Sequence, residues 1–176
     1  MKIICPSDDF QTKWAIDEAT KLDGPVYIRL CRLATPIIYD DKNFEFGKAC
    51  VHGNGTDATI FATGVTVSIA LETQEKLQKE GKNVRVVDIH TIKPIDKETI
   101  IRCAKETKKL ISVEDHNIIG GLGTAISEVL TDECPTKLLR LGINDTFGKS
   151  GKADDLLNYF QLNSEKIKNC ILDIDK

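Results

Sequence analysis

Apolar and polar positions along the chain switch repeatedly between short aliphatic runs and stretches with apolar residues three or four apart, which predicts strands alternating with helices. The first apolar segment is Lys2 to Cys5. Asp8 follows it three residues before Gln11, the spacing of a capping box, so a helix should start there. Trp14, Ala15, Ala19 and Leu22 give that helix an apolar stripe, Asp23-Gly24-Pro25 stops it, and Val26 to Leu30 reads as a strand. A strand, helix, strand unit of about 30 residues is too small to bury its own faces. It is expected to be either the edge of a larger sheet or, as preferred here, the remnant of a domain that begins upstream.

Ala34 to Gly47 mixes Pro36, Asp40, Asp41 and Asn43 without periodicity, which suits a linker or crossing segment. Beyond it Cys50 to Asn54 reads as a short strand and Thr59 to Ala62 as a buried one. A helix is predicted from Thr66 to Glu80, with Val67, Ala70, Leu71 and Leu77 inward and Gly81 at the left-handed C-cap position. Val84 to Ile89 is an aliphatic run of the kind a parallel strand covered on both faces requires. Asp96 can cap a helix reaching Lys108, with Ile100, Ile101 and Ala104 on one face, before a short strand from Leu110 to Val113. Leu122, Ala125, Ile126, Val129 and Leu130 keep helical spacing up to Cys134-Pro135, and Leu138 to Leu141 gives a further strand. Two terminal helices hold Ala153, Leu156, Leu157 and Phe160 behind a cap at Ser150, then Ile167, Ile171 and Ile174. This alternation predicts a three-layer α/β/α fold on a mostly parallel sheet of about five strands, joined by right-handed crossovers, with the segment near Cys50 antiparallel at one edge.

Composition narrows the function classes. With 176 residues the chain can bury roughly 70% of its unfolded surface, so no disulfide or metal is needed to hold a core. Lys and Arg number 24 against 27 Asp and Glu, a net charge of −3, which argues against nucleic acid as a main partner. No apolar run is long enough to cross a membrane, and MKIICPSDDF carries acids where a signal peptide would be apolar, so a cytoplasmic location is expected. The six cysteines form no CxxC pair, which fits reduced, buried thiols rather than a zinc ribbon or redox motif.

Motif chemistry excludes more than it assigns. Gly142 to Ser150 nearly spells the phosphate-cradling GxxxxGK[ST] loop, but five residues separate Gly142 from Gly148 where four are needed for the backbone N–H groups to converge. Gly120-Gly121-Leu122-Gly123 approaches the dinucleotide fingerprint, yet Ile126 stands where a small residue is required; glycines for a tight turn and close helix packing are preferred. His116, beside Glu114 and Asp115 at a strand's C-terminal end, has the chemistry of a base or ligand, but neither His90 nor His52 has ligand spacing to it. No GxSxG elbow exists, since Lys152 fills the last glycine place.

Taken together, several stretches resemble the C-terminal part of transketolase, in the form split into two subunits. They are Pro6-Ser7-Asp8; Gly24 to Arg32; Thr63-Gly64; Asp88 to Asp96; Val113 to His116 with Gly120 to Gly123; and Gly142 to Gly151. Deoxyxylulose-phosphate synthase and the beta subunit of 2-oxoacid dehydrogenases share this domain and are the related alternatives; a free-standing ligand- or partner-binding module is the alternative from another class. The resemblance implies that residues 1–34 are the tail of a pyrimidine-binding domain, 35–46 a linker, and 47–176 the C-terminal domain. It implies transfer of a two-carbon ketol unit between sugar phosphates, in the pentose phosphate pathway, with thiamine diphosphate and magnesium in the complete enzyme. It implies an N-terminal subunit or domain as partner and a homo-oligomer, dimeric contacts being this domain's role. No catalytic, cofactor-binding or metal-binding residue is expected on this chain, which alone should be inactive. One position carries over: Arg32, four residues before Pro36, matches the arginine that reaches the substrate's phosphate, a role suited to a guanidinium. Arg29 competes with it, and if one strand ran through both they would face opposite sides.

Overall fold

The two hydrophobic periods of the chain resolve into strands whose apolar sides face helices on both faces of one sheet. The computed structural model describes residues 1–40, 44–107 and 109–173. In chain order these form β1 (Lys2–Ile4), α1 (Asp9–Ala19), β2 (Val26–Ile28), β3 (Cys50–His52), β4 (Ala58–Ala62), α2 (Thr66–Lys79), β5 (Val84–Asp88), β6 (Thr91–Lys93), α3 (Lys97–Thr107), β7 (Leu110–Asn117), α4 (Leu122–Glu133), β8 (Leu138–Ile143), α5 (Ala153–Tyr159) and α6 (Ser164–Asp173). Lys108, the expected end of α3, and Ile174, expected on the inner side of α6, lie outside the described residues, as do Asp41 and Asn43.

The main sheet has the order β3-β5-β4-β7-β8. All pairs are parallel except β3 with β5, where Cys50 faces Asp88 and His52 faces Val86. The architecture is therefore the predicted one: five strands, mostly parallel, with the Cys50 segment antiparallel at one edge. Side-chain alternation sends Ile60 and Phe61 into different layers. Ile60, Val86, Ile111 and Val113 pack with Val67, Ala70 and Leu77 of α2 and Ile167 and Ile171 of α6. Phe61, Val87 and Leu110 pack on the other face with Ile100 and Cys103 of α3 and Ile126 and Leu130 of α4.

A second, three-stranded sheet has the order β2-β1-β6. The N-terminal strand, helix, strand unit is thus not an edge of the main sheet. β1 pairs parallel with β2 and antiparallel with β6, a three-residue strand that the hydrophobic pattern does not predict. Caps follow the expected chemistry at most ends. Asp8 Oδ1 accepts from Gln11 N at 2.9 Å and Asp96 Oδ1 from Thr99 N at 3.1 Å, while Gly81 adopts φ +77° after α2. Ser150 does not cap α5: the N-cap is Lys152, without a side-chain cap bond. β7 runs four residues past Val113, with an irregularity in its pairing to β8 before Asn117; these last residues, Glu114 to Asn117, are polar and carry no aliphatic signal. No two cysteines form a disulfide among the described residues.

Candidate functional site

The N-terminus of α1 and the loop after β2 meet over a buried polar cluster. Asp8 reaches the start of α1 in extended backbone, and its carboxylate is almost fully buried. One oxygen caps the helix at Gln11 N; the other accepts from Ile38 N at 2.9 Å and Tyr39 N at 2.8 Å. The capping box is displaced by one residue, since Gln11 Oε1 accepts from Ser7 N at 2.7 Å rather than from Asp8 N.

Gln11 and Ser7 also extend to the end of β5. Asp88 Oδ2 accepts from Ser7 Oγ at 3.1 Å, Gln11 Nε2 at 2.9 Å and the Tyr39 hydroxyl at 2.7 Å, while Oδ1 has no hydrogen-bond partner among the described residues. The Tyr39 hydroxyl lies 2.8 Å from His52 Nε2. Having one proton, given to Asp88, it accepts from that ring nitrogen, which fixes the tautomer of His52. Burial pushes the Asp88 carboxyl up to about 6, against the three donors, which favour its charged form, and with a smaller push from Asp8. Burial, then the charge of Asp88, pushes the Tyr39 phenol far above its ordinary value.

Beside this cluster lies a pocket of about 260 Å³, lined by Pro6, Ser7, Asp8, Asp9 and Thr12 on one side and Leu30, Cys31, Leu33, Ala34 and Thr35 on the other. Arg32 is exposed and sits between two of the lining residues. Arg29 goes elsewhere. β2 ends at Ile28, so the alternation argument for the two arginines does not apply; Arg29 N donates to Ile4 O at 2.8 Å, and its guanidinium donates to Asp115 O at 2.5 Å. That guanidinium borders a smaller pocket of about 120 Å³ with Glu114, His116 and Gly121. His116 is exposed, with Nδ1 2.8 Å from Asn117 O, and forms part of a polar turn.

The glycine turn before α4 is architecture. Glu114 is buried, and its carboxylate accepts from Leu122 N at 2.6 Å and Gly123 N at 2.8 Å, occupying the place at the helix N-terminus where a ligand phosphate would have to sit. A Cβ on Gly121 would lie 1.9 Å from Glu114 Oε2, and one on Gly123 2.7 Å from Ser112 Oγ. Burial raises the Glu114 carboxyl, partly offset by those two amides. The Gly142 to Ser150 loop leads only to the seven-residue α5. Among the described residues no group of three or more His, Cys, Asp or Glu is placed to hold a metal ion, and no helix is long and apolar enough to cross a membrane.

In the sequence Asp8 is legible only as a helix cap, and nothing local marks Asp88 or Tyr39 as its neighbours. The available signal was an acid closing the aliphatic run Val84 to Ile89, where a buried carboxylate demands donors from elsewhere.

Residues 47–167 match the family model for the transketolase C-terminal domain. A Methanocaldococcus jannaschii protein provisionally named a transketolase C-terminal section is 45% identical over 98% of this chain and 55% of its own length. A 6-deoxy-6-sulfo-D-fructose transketolase subunit of Clostridium sp. is 39% identical over 95% of this chain and 52% of its own. Among solved structures, a split-gene transketolase described as an inactive beta4 tetramer superposes with a TM-score of 0.94 at 38% identity, over 98% of this chain and 57% of that one. The chain thus spans about half the length of these relatives.

Proposed function

Because the chain belongs to the transketolase family, carrying its C-terminal domain, we propose that it is part of the C-terminal section of a split transketolase that moves a two-carbon ketol unit between sugar phosphates. The observation that carries this reading is the correspondence of nearly the whole chain, small sheet included, to one section of a split enzyme. The relatives are transketolase subunits, which favours this over the synthase, dehydrogenase and free-standing-module alternatives.

Residues 1–34 are the tail of the pyrimidine-binding domain, 35–46 the linker and 47–176 the C-terminal domain. The partner is an N-terminal transketolase section, and the complete enzyme is a cytoplasmic homo-oligomer. Thiamine diphosphate and magnesium supply the carbanion chemistry in that enzyme. Neither group is expected on this chain alone, a reading supported at the N-terminus of α4, where Glu114 already takes the amides an anion would use.

The role of this chain at the substrate is to bind its anionic end. Arg32 is exposed on the loop beside the larger pocket, where a guanidinium can fork onto phosphate oxygens. A phosphate contact of this kind contributes to binding of phosphorylated sugars and is absent for unphosphorylated ones.

The test is a coupled ketol-transfer assay on the complete enzyme, reconstituted from its N-terminal section and a C-terminal section carrying Arg32 or Arg32→Ala. The expected result is a KM for phosphorylated sugars raised at least ten-fold, with a smaller loss for unphosphorylated ones. Unchanged kinetics would remove Arg32 from the substrate site, and no activity in the unsubstituted enzyme would overturn the transketolase reading. The 176-residue chain alone is expected not to bind thiamine diphosphate in calorimetry; micromolar binding would contradict that.

A further inference from the structure

We infer that Asp8 is the residue that positions Arg32 for the anionic end of the substrate, an inference that rests on the role proposed above for Arg32. The loop carrying Arg32 leaves β2 where Arg29 N donates to Ile4 O and rejoins the body of the protein at Ile38 and Tyr39. Between those two points residues 30–37 contain no helix or strand, so the place of Arg32 depends on how firmly each end is held.

The far end is held by one carboxylate oxygen. Asp8 Oδ2 takes both the Ile38 and the Tyr39 amides, and Oδ1 takes Gln11 N at the start of α1. A single buried side chain thus fixes the helix terminus on one wall of the pocket and the end of the loop that forms the other. Bonds from N–H groups to an ionised acceptor are about twice as strong as neutral ones, and here they are shielded from water. Tyr39 is held again through its hydroxyl to Asp88, so the loop end is braced by two carboxylates, of which only Asp8 also lines the pocket.

The two functions of Asp8 can be separated chemically. Asparagine is as good an N-cap as aspartate, so in Asp8→Asn the side-chain oxygen can keep Gln11 N while the amide nitrogen meets the Ile38 and Tyr39 N–H groups as a fellow donor. The cap stays and the loop clamp is lost.

The experiment uses the complete two-section enzyme, with Asp8→Asn, Arg32→Ala and the double variant, and reads kcat and KM for a phosphorylated and an unphosphorylated ketol donor. For Asp8→Asn the expected result is a several-fold fall in the preference for the phosphorylated donor, carried by KM with little change in kcat. Arg32→Ala gives a larger fall, and the double variant falls no further, because a clamp has nothing to position once the arginine is gone. An equal loss on both donors, a loss confined to kcat, or additive losses in the double variant would each overturn the role of Asp8. If Arg32→Ala itself leaves the preference unchanged, the phosphate reading of Arg32 fails; if it shifts the preference and Asp8→Asn does not, only the inference about Asp8 fails. Should Asp8→Asn not assemble, Asp8→Ser, which keeps a capping oxygen and withdraws the second, carries the same expectation. Failure of both to assemble would overturn the inference in favour of a role in folding alone.

Discussion

Asp88 is a carboxylate at the end of a fully buried strand, and its protonation is tied to stability by a definite sign. Its ordinary value lies near 3.8 and burial raises it to about 6 in the folded protein. The folded state therefore binds the proton more tightly than the unfolded one, so the contribution of Asp88 is most favourable below its unfolded value and is lost as pH rises to about 6. The difference corresponds to a penalty on the order of 3 kcal/mol above that pH. Asp88→Asn is expected to abolish this slope. Its amide oxygen can serve the Ser7, Gln11 and Tyr39 donors, and its amide nitrogen takes the place of Oδ1, which has no partner among the described residues. Urea unfolding at pH 5 and pH 7.5 checks this: the parent should lose more stability than the variant across the interval, and parallel losses would exclude Asp88 as the titrating group. The site was only half legible in the sequence for the same physical reason. Asp8 and Gln11 announce themselves by local spacing, but the donors of Asp88 come from 49, 77 and 81 positions upstream, and no local pattern encodes which distant donors satisfy a buried acid.

At the N-terminus of α4 a glycine-rich turn serves a side chain of the protein itself. Glu114 reaches from β7 across the turn to the Leu122 and Gly123 amides, and Gly121 must lack a side chain to let it pass. Glu114→Ala would strand two buried donors, each worth about 1–3 kcal/mol, though the neighbouring pocket lets water reach them in part. A loss of about 2–3 kcal/mol in chemical denaturation is expected. Gly121→Ala should cost at least as much, because its methyl would collide with Glu114, and the double variant should lose less than the sum of the two. Additivity would show that the carboxylate and the glycine are not coupled. Most elements were legible from periodicity: the aliphatic runs at 58–62 and 84–88 and the amphipathic helices at 66–79 and 122–133 all declare themselves. The misses share a cause. β6 has three residues and a partner 87 to 90 positions away, and the last four residues of β7 are polar; both are made by pairing rather than by local hydrophobicity.

At the scale of the whole molecule the decisive feature is how the small sheet is joined to the large one. β1 pairs with β6, which follows directly from β5 of the main sheet, and Cys5 N donates to His90 O at 2.8 Å. Thr63 Oγ1 donates to Ile89 O, while the Trp14 ring meets the His90 ring edge-on at a centroid distance of 4.8 Å. Arg29 reaches Asp115, and Ser7, Gln11 and Tyr39 all end on Asp88. A three-stranded sheet with a single helix would be marginal alone. Here it is fastened to the end of the main sheet by the β1–β6 pairing and by the bonds of Cys5, Ser7, Gln11 and Arg29, which are lost together if the N-terminal segment detaches. Detachment therefore exposes Ile4, Cys5 and Ala15, apolar residues buried in the intact chain. The chain is accordingly expected to unfold as one cooperative unit, with calorimetric and van't Hoff enthalpies equal. In native-state hydrogen exchange, the amides of β1 and the middle of α1 should open with the same free energy as those of β4 and β5. Earlier exchange of β1 and α1, by more than about 2 kcal/mol, would show instead that the N-terminal segment is a separately melting appendage. Asp88→Ala distinguishes the two cases further: in a single unit it lowers every amide's opening energy alike, whereas an appendage would loosen by itself and leave β4 unchanged.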